Sequence, residues 1–228
     1  MEEVKLRLIK SFVLRQGRLT KGQQQALEQG WPLYGIDPDN TLLDFQALFG
    51  NTAPVTLEIG FGNGETLAQM AQAEPARNFV GIEVHTPGVG HLLHLLLDRG
   101  INNVRVMNSD AVEIIQQRIP IASLDRVQLY FPDPWHKKRH NKRRIVQPEF
   151  VSLLASRLKP GGIFHMATDW EDYAQQMATV MQASPDFHTL ATDGGAFSPR
   201  PDFRPLTKFE QRGLRLGHGV WDLLYTKA

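Results

Sequence analysis

From residue 55 onward, short apolar runs alternate with stretches of helical length, and this alternation constrains the fold more than any other feature. The runs at 55–59, 79–84, 104–107, 126–131 and 163–167 are too short for helices and rich in Val, Ile, Leu and Phe, as expected of strands covered on both faces. Helical stretches lie at 65–73, 89–99, 111–118, 148–158 and 172–182, with Pro148 suited to a first turn and the Lys-Pro-Gly-Gly at 159–162 suited to a stop. Such alternation predicts a parallel sheet with helices on both faces. Two further runs, 187–191 and 220–225, have no clear helix between them, so they are expected to pair as a hairpin with the final strand antiparallel. The expectation is a Rossmann-like α/β domain over 46–228 with a mostly parallel sheet of seven strands. Residues 1–45 carry no strong period of either kind and are punctuated by Gly17, Gly22, Gly30, Pro32, Gly35 and Pro38, and they read as an extension that is partly mobile or ordered on a partner.

The net charge of +1 conceals an uneven distribution. No Lys or Arg falls between Lys21 and Arg77, whereas Glu28, Asp37, Asp39, Asp44, Glu58, Glu65 and Glu74 do. By contrast, residues 136–144 read HKKRHNKRR, with six cations and no acid, and 5–21 carry six more. A polyanion should avoid the first region and seek the other two, so a nucleic acid is the expected partner. The absence of cysteine excludes disulfides and thiolate metal sites. Charge interrupts the first residues, and no apolar run approaches the length of a membrane span, so the chain is expected to be soluble and cytoplasmic, without membrane association.

The first strand runs directly into Leu57-Glu58-Ile59-Gly60-Phe61-Gly62-Asn63-Gly64-Glu65. Gly60, Gly62 and Gly64 permit a tight turn and a close ligand approach. A dinucleotide fingerprint would place its third glycine one residue later, where Glu65 stands, and Glu58 and Glu65 would repel a pyrophosphate. An acidic, glycine-lined pocket instead suits S-adenosylmethionine, which carries a sulfonium and an ammonium and no phosphate. Glu83 ends the second strand, where a doubly wound fold places the acid that grips ribose hydroxyls. Asp110 follows the third strand and either meets the adenine amino group or caps the next helix.

Tyr130-Phe131-Pro132-Asp133-Pro134-Trp135 follows the fourth strand, at the sheet edge where open parallel sheets bind ligands. Two prolines fix the backbone around Asp133, and Trp135 offers a flat face to a base. Guanine N7 has a lone pair and no proton, so alkylating it needs positioning rather than a general base. A fixed carboxylate at Asp133 would strengthen its hold as the ring becomes cationic. Asp169 ends the fifth strand and either touches substrate or caps a helix, and Thr207-Lys208-Phe209-Glu210 precedes the final strand. The histidine pairs His91/His94 and His136/His140 have helix-compatible spacings, but the first reads as part of an ordinary helix and the second sits among cations that repel a metal, so no metal is expected.

Together these residues resemble the bacterial tRNA (guanine-N7-)-methyltransferases of the TrmB type over nearly the whole length. The resemblance rests on SFVLRQGRLTKGQQ at 11–24, LEIGFGNGE at 57–65, GIEVHTPGVG at 81–90, FPDPWHKKRHNKRR at 131–144 and TKFEQRG at 207–213. It implies a class I methyltransferase fold, S-adenosyl-L-methionine as donor, and the guanine at position 46 of the tRNA variable loop as acceptor. It further implies that Glu58, Glu83, Asp110 and Asp133 line the donor site, with Asp133 catalytic. Lys137, Asp169, Thr207, Lys208, Phe209 and Glu210 match its substrate-contacting positions, and Arg139, His140, Asn141, Lys142, Arg143 and Arg144 its RNA-interacting run. Bacterial relatives act without an accessory subunit, and a monomer is expected. The alternatives are an exocyclic-amine methyltransferase on nucleic acid, which usually carries an uninterrupted proline pair, a non-catalytic RNA-binding module on the same fold, and a dehydrogenase, which the glycine spacing disfavours.

Overall fold

A computed structural model describes residues 10–13, 17–207, 210–211 and 219–228. Strands β1 (Val55–Ile59), β2 (Asn78–Ile82), β3 (Val104–Met107), β4 (Leu124–Tyr130), β5 (Leu158–Thr168), β6 (Phe187–Thr189) and β7 (Trp221–Lys227) form one sheet in the order β3-β2-β1-β4-β5-β7-β6. The first five are mutually parallel. β7 enters between β5 and β6 and runs antiparallel to both, as the missing helix between the last two runs led us to expect. β5 begins earlier than expected, because Lys159-Pro160-Gly161-Gly162 is carried inside the strand across a register shift near Leu124 instead of ending the helix in a loop. The chain leaves β1 toward β2 on one side and returns to β4 on the other. The carboxyl ends of β1 and β4 therefore flank the crevice where such sheets hold ligands.

Helices α3 (Glu65–Ala73), α4 (Thr86–Arg99), α5 (Ala111–Gln117), α6 (Pro148–Arg157) and α7 (Glu171–Ala183) follow the first, second, third, fourth and fifth strands. One sheet face buries Leu57, Ile59, Val127, Leu129, Phe164 and Met166 against Ile115, Leu154, Tyr173 and Met177 of α5–α7. The other buries Phe79, Val104 and Val106 beneath Leu67, Leu92, Leu93 and Leu96. Each such side chain, taken from water, stabilises the fold by roughly 1.5–3 kcal/mol. Over β1, β4, β5 and β7 that second face turns polar: Thr56, Glu58, Arg126, Gln128, Tyr130, His165 and Asp222 are all buried there.

The segment read as an extension departs from expectation. Before the sheet begins, the chain forms α1 (Lys21–Tyr34) and the short α2 (Phe45–Phe49). Thr20 caps α1 reciprocally with Gln23, a capping box that starts the helix. Its buried face, Ala26, Gly30 and Tyr34, is too small to give an apolar periodicity. Glycines bring α1 onto α4: a Cβ at Gly30 would lie 3.1 Å from Leu93 Cβ, and one at Gly90 3.0 Å from Gln23. The end of α1 is tied to the sheet edge, where Ile36 N–H donates to the Val106 carbonyl at 2.9 Å. Among the described residues no helix is long and apolar enough to cross a membrane.

Candidate active site

A cleft of about 370 Å³ opens at the carboxyl ends of β1, β2, β3 and β4. Ile59, Ile82, Tyr130 and Phe131 give it apolar walls, and Glu83, Asp110 and Asp133 bring carboxylates to it. Gly60 and Gly62 turn the chain with φ of 69° and 59°, a region that disfavours side chains, and a Cβ at either would meet nothing within 4 Å. Gly64 serves packing instead, since a Cβ there would lie 2.6 Å from Leu92 Cβ and force α3 away from α4. Glu83 locks the turn: Oε2 accepts from Gly62 N–H at 2.8 Å, while Oε1 accepts from Val84 and His85 N–H at 2.8 and 2.9 Å. Asp110 caps α5 through Val112 N–H at 3.0 Å and also lines the cleft.

Glu58 lies beneath the cleft rather than in its wall. Strand alternation turns Leu57 and Ile59 to one face and Glu58 to the other, beside its register partner Gln128. Burial pushes its carboxyl up to about 8, Arg126 offsets this only in part, and the Glu83 charge adds to the rise. Glu58 Oε2 and both amide atoms of Gln128 have no hydrogen-bond partner among the described residues.

Past β4, Phe131 and Trp135 take φ of 50° and 46°, so the Pro132-Asp133-Pro134 segment is bracketed by two side-chain-bearing residues in the left-handed region. Such conformations cost about 1–3 kcal/mol each and persist only where the surroundings enforce them. Here Phe131 N–H donates to the Ala167 carbonyl at 2.7 Å, and Trp135 Nε1–H donates to the Ser11 carbonyl at 3.0 Å. The exposed Asp133 lines both the cleft and a neighbouring cavity walled by Val13, Trp135, His136, Lys137 and His140.

The basic run winds into a 3-10 helix over Lys138–Arg143, which divides its residues. Lys137, Lys138, Arg139 and Lys142 are exposed, and their side chains have no hydrogen-bond or ion-pair partner among the described residues. Arg143 stacks on Trp135 with its guanidinium 4.2 Å from the ring centroid, and His140 meets the same ring edge-on. Burial and the surrounding Arg139, Lys137 and Arg143 depress the His140 imidazole, favouring its neutral form. Asn141 and Arg144 face inward. Asn141, with its amide nitrogen turned inward, donates to the carbonyls of Trp135 and Lys137 at 3.0 and 3.2 Å. Arg144 is 2% exposed and donates to the Pro134 carbonyl at 2.7 Å, Gln176 at 2.7 Å and Asp172 at 2.6 Å. The expectation that Arg144 meets RNA is thus corrected: it braces the loop from behind.

A family model described as "Putative methyltransferase" matches residues 52–223. The chain is 60% identical to the tRNA (guanine-N(7)-)-methyltransferase of Sodalis glossinidius, over 98% of this chain and 93% of that one. It is 58% identical to the protein of that name from Hydrogenovibrio crunogenus, over 97% and 92%. The chain belongs to the tRNA (guanine-N(7)-)-methyltransferase family. Among solved structures, the 16S rRNA methyltransferase KamB superposes with a TM-score of 0.56 at 16% identity, covering 82% of this chain and 94% of that one, and supports the Rossmann-like fold alone.

The remaining positions of the family pattern are distributed unevenly. Asp169 is exposed at the end of β5, beside Trp170, a rim residue that sequence reasoning passed over. Trp170 is 41% exposed and tilts against His136 with ring centroids 6.2 Å apart. Lys208 and Phe209 lie outside the described residues. Thr207 is half-buried, and its Oγ1 accepts from Glu210 N–H at 3.0 Å. Glu210 is 4% exposed, and both its oxygens accept from Arg204, so its expected contact with substrate is corrected to an internal one. Ser11, Phe12 and Val13 also line the cleft, and Lys10 reaches within 4.0 Å of Asp110; an apolar island in a basic segment was the only sequence signal for this.

Proposed function

We propose that this protein transfers a methyl group from S-adenosylmethionine to N7 of guanine in tRNA, at position 46 of the variable loop, giving 7-methylguanosine. It acts as a cytoplasmic monomer without an accessory subunit. The observation that carries this reading is the position of Asp133, one side chain shared by a carboxylate-lined cleft and an aromatic, cationic cavity. The residues present fit the donor: Glu83, Asp110 and Asp133 complement its positive charges, apolar walls suit its adenosine, and Gly60 and Gly62 leave open space beside the turn. When bound, S-adenosylmethionine supplies a methyl group on a positively charged sulfur that departs as a neutral thioether.

The protein's own task is then placement and charge. Glu83 is preorganised by three backbone amides to receive ribose hydroxyls on its remaining lone pairs. Asp133 accepts from guanine N1–H and the 2-amino group and holds the ring as it becomes cationic; no base is needed, because N7 carries no proton. Lys137, Asp169 and Thr207 contact the nucleotide around it, while Lys138, Arg139 and Lys142 hold phosphates. Incubating the protein with labelled donor and total tRNA, followed by nucleoside mass spectrometry, tests the reading. Label in 7-methylguanosine is expected; label in N2-methylguanosine or N6-methyladenosine would replace it with exocyclic-amine chemistry.

A further inference from the structure

Arg204 is fully buried, and no step above uses it. Its guanidinium donates four hydrogen bonds to two carboxylates: to Asp222 Oδ1 and Oδ2 at 2.7 and 2.8 Å, and to Glu210 Oε2 and Oε1 at 2.6 and 2.8 Å. The network continues through the sheet. His165 Nε2 lies 2.7 Å from Asp222 Oδ1, and Tyr130 Oη lies 2.9 Å from His165 Nδ1. A carboxylate only accepts, so Nε2 carries the imidazole proton and the Tyr130 hydroxyl donates to Nδ1. Burial depresses the His165 imidazole despite its bond to Asp222, consistent with that neutral tautomer. Burial alone would raise the Asp222 carboxyl, but the hydrogen bonds from His165 and Arg204 outweigh it and keep the group ionised.

Both ends of this network lead to the reaction rim. At one end Tyr130 is the last residue of β4, and Arg204 stands 5.8 Å from the ring centroids of both Tyr130 and Phe131, the start of the loop that carries Asp133. At the other end Glu210 is fixed to Thr207, whose Oγ1 and carbonyl accept from the amides of Glu210 and Gln211 at 3.0 and 2.9 Å. A buried ion cluster is a poor device for stability, since apolar packing would serve as well. The planar fork of a guanidinium is a good device for fixing two carboxylates at a set angle and distance.

We propose that Arg204 is a positioning residue for the transfer, clamping Glu210, and through it Thr207, to the Phe131 end of the catalytic loop so that Thr207 and Asp133 address the same base. The proposal rests on the guanine-N7 reading above. It explains why Glu210, a member of the family's substrate-contacting motif, faces inward: it acts through Arg204.

The test uses the full-length protein with Arg204→Lys, which keeps the charge and loses the fork, and Glu210→Gln, which keeps the shape and loses the charge. Donor affinity by calorimetry, tRNA affinity, and kcat per donor-binding site are measured well below each variant's Tm. Because the cleft and the exposed cations are untouched, donor and tRNA Kd should stay within about threefold of the unsubstituted protein, while misplacement of the base lowers kcat by about 10–100-fold. A purely structural role would lower Tm and leave kcat per donor-binding site unchanged, and that result, or loss of donor binding in both variants, overturns the proposal. Should the unsubstituted protein form no 7-methylguanosine, the functional reading fails rather than this inference.

Discussion

The carboxylate-lined cleft and the cationic rim meet at Asp133 and are built on opposite plans. In the cleft, acids are held by the backbone: Glu83 accepts from three amides and Asp110 caps a helix. On the rim, Lys137, Lys138, Arg139 and Lys142 project without partners among the described residues. Fixed acceptors suit a small ligand whose groups must arrive at set positions, because preorganisation removes the ordering cost at binding. Free cations suit an extended polyanion, whose phosphates are gripped by charge and released counterions more than by geometry. Yet each region also has one charged residue buried behind it: Glu58 beneath the cleft and Arg144 behind the rim.

The largest expected effect breaks the junction itself. Asp133→Asn should lower kcat by about 100–1,000-fold, the usual cost of removing a group aimed at developing charge. Affinity for tRNA, held chiefly through its phosphates, should change little, and turnover near normal would sink the assigned role. Next comes Arg144→Ala. Asp172 is 70% exposed on its side chain, so that ion pair is screened and adds little. The bonds to the Pro134 carbonyl and Gln176, and the stacking on Tyr173, are what the variant chiefly gives up. Together they should destabilise the fold by about 2–4 kcal/mol, read by urea unfolding. The exposed Arg139→Ala should stay within about 0.5 kcal/mol. Similar destabilisation from both would erase the division between brace and contact.

The strand alternation made the sheet legible, down to the reversed final strand, because burial on both faces leaves apolar runs that no helix of that length would show. The glycine turn was legible because its spacing is set locally, and Glu83 because one strand-helix-strand unit returns the end of β2 beside the end of β1. Three things were not. α1 hides behind glycines and glutamines, since it packs by close backbone approach rather than by large side chains. Which members of HKKRHNKRR turn inward depends on contacts with distant segments and on the loop's own fold, which bring Arg144 to Pro134, Gln176 and Asp172 and Asn141 to the carbonyls of Trp135 and Lys137. Arg204 has no local signal, because its partners Asp222 and Glu210 are brought to it only by the sheet and the turn.

Glu58 offers a way to sharpen the comparison through pH. Its folded pKa, about 8, is above the ordinary 4.5, so between those values the folded state holds a proton that the unfolded state has released. The stabilisation from the neutral carboxyl is complete below about pH 4.5 and is lost as pH rises toward 8. Glu58→Gln removes that slope. Relative to the unsubstituted protein, the variant should gain about 2 kcal/mol on moving from pH 6 to pH 8.5, measured by denaturation. Parallel pH profiles would mean that Glu58 is ionised in the folded protein. The same change at Glu83, whose carboxylate is held by three amides, should destabilise instead.

The smallest effect tests the rim alone. Replacing Lys138, Arg139 and Lys142 by alanine removes cations that touch nothing else described in the protein, so Tm and donor Kd should not move. Each phosphate left without its cation should lower the slope of log Kd against log salt by about 0.7–0.9, and tRNA binding near physiological salt should weaken by about tenfold. The slope is the decisive reading, because misfolding would weaken binding at every salt concentration without flattening the dependence. An unchanged slope with intact tRNA binding would move the RNA contact away from this run and onto the basic N-terminal stretch, the other place where cations gather without acids.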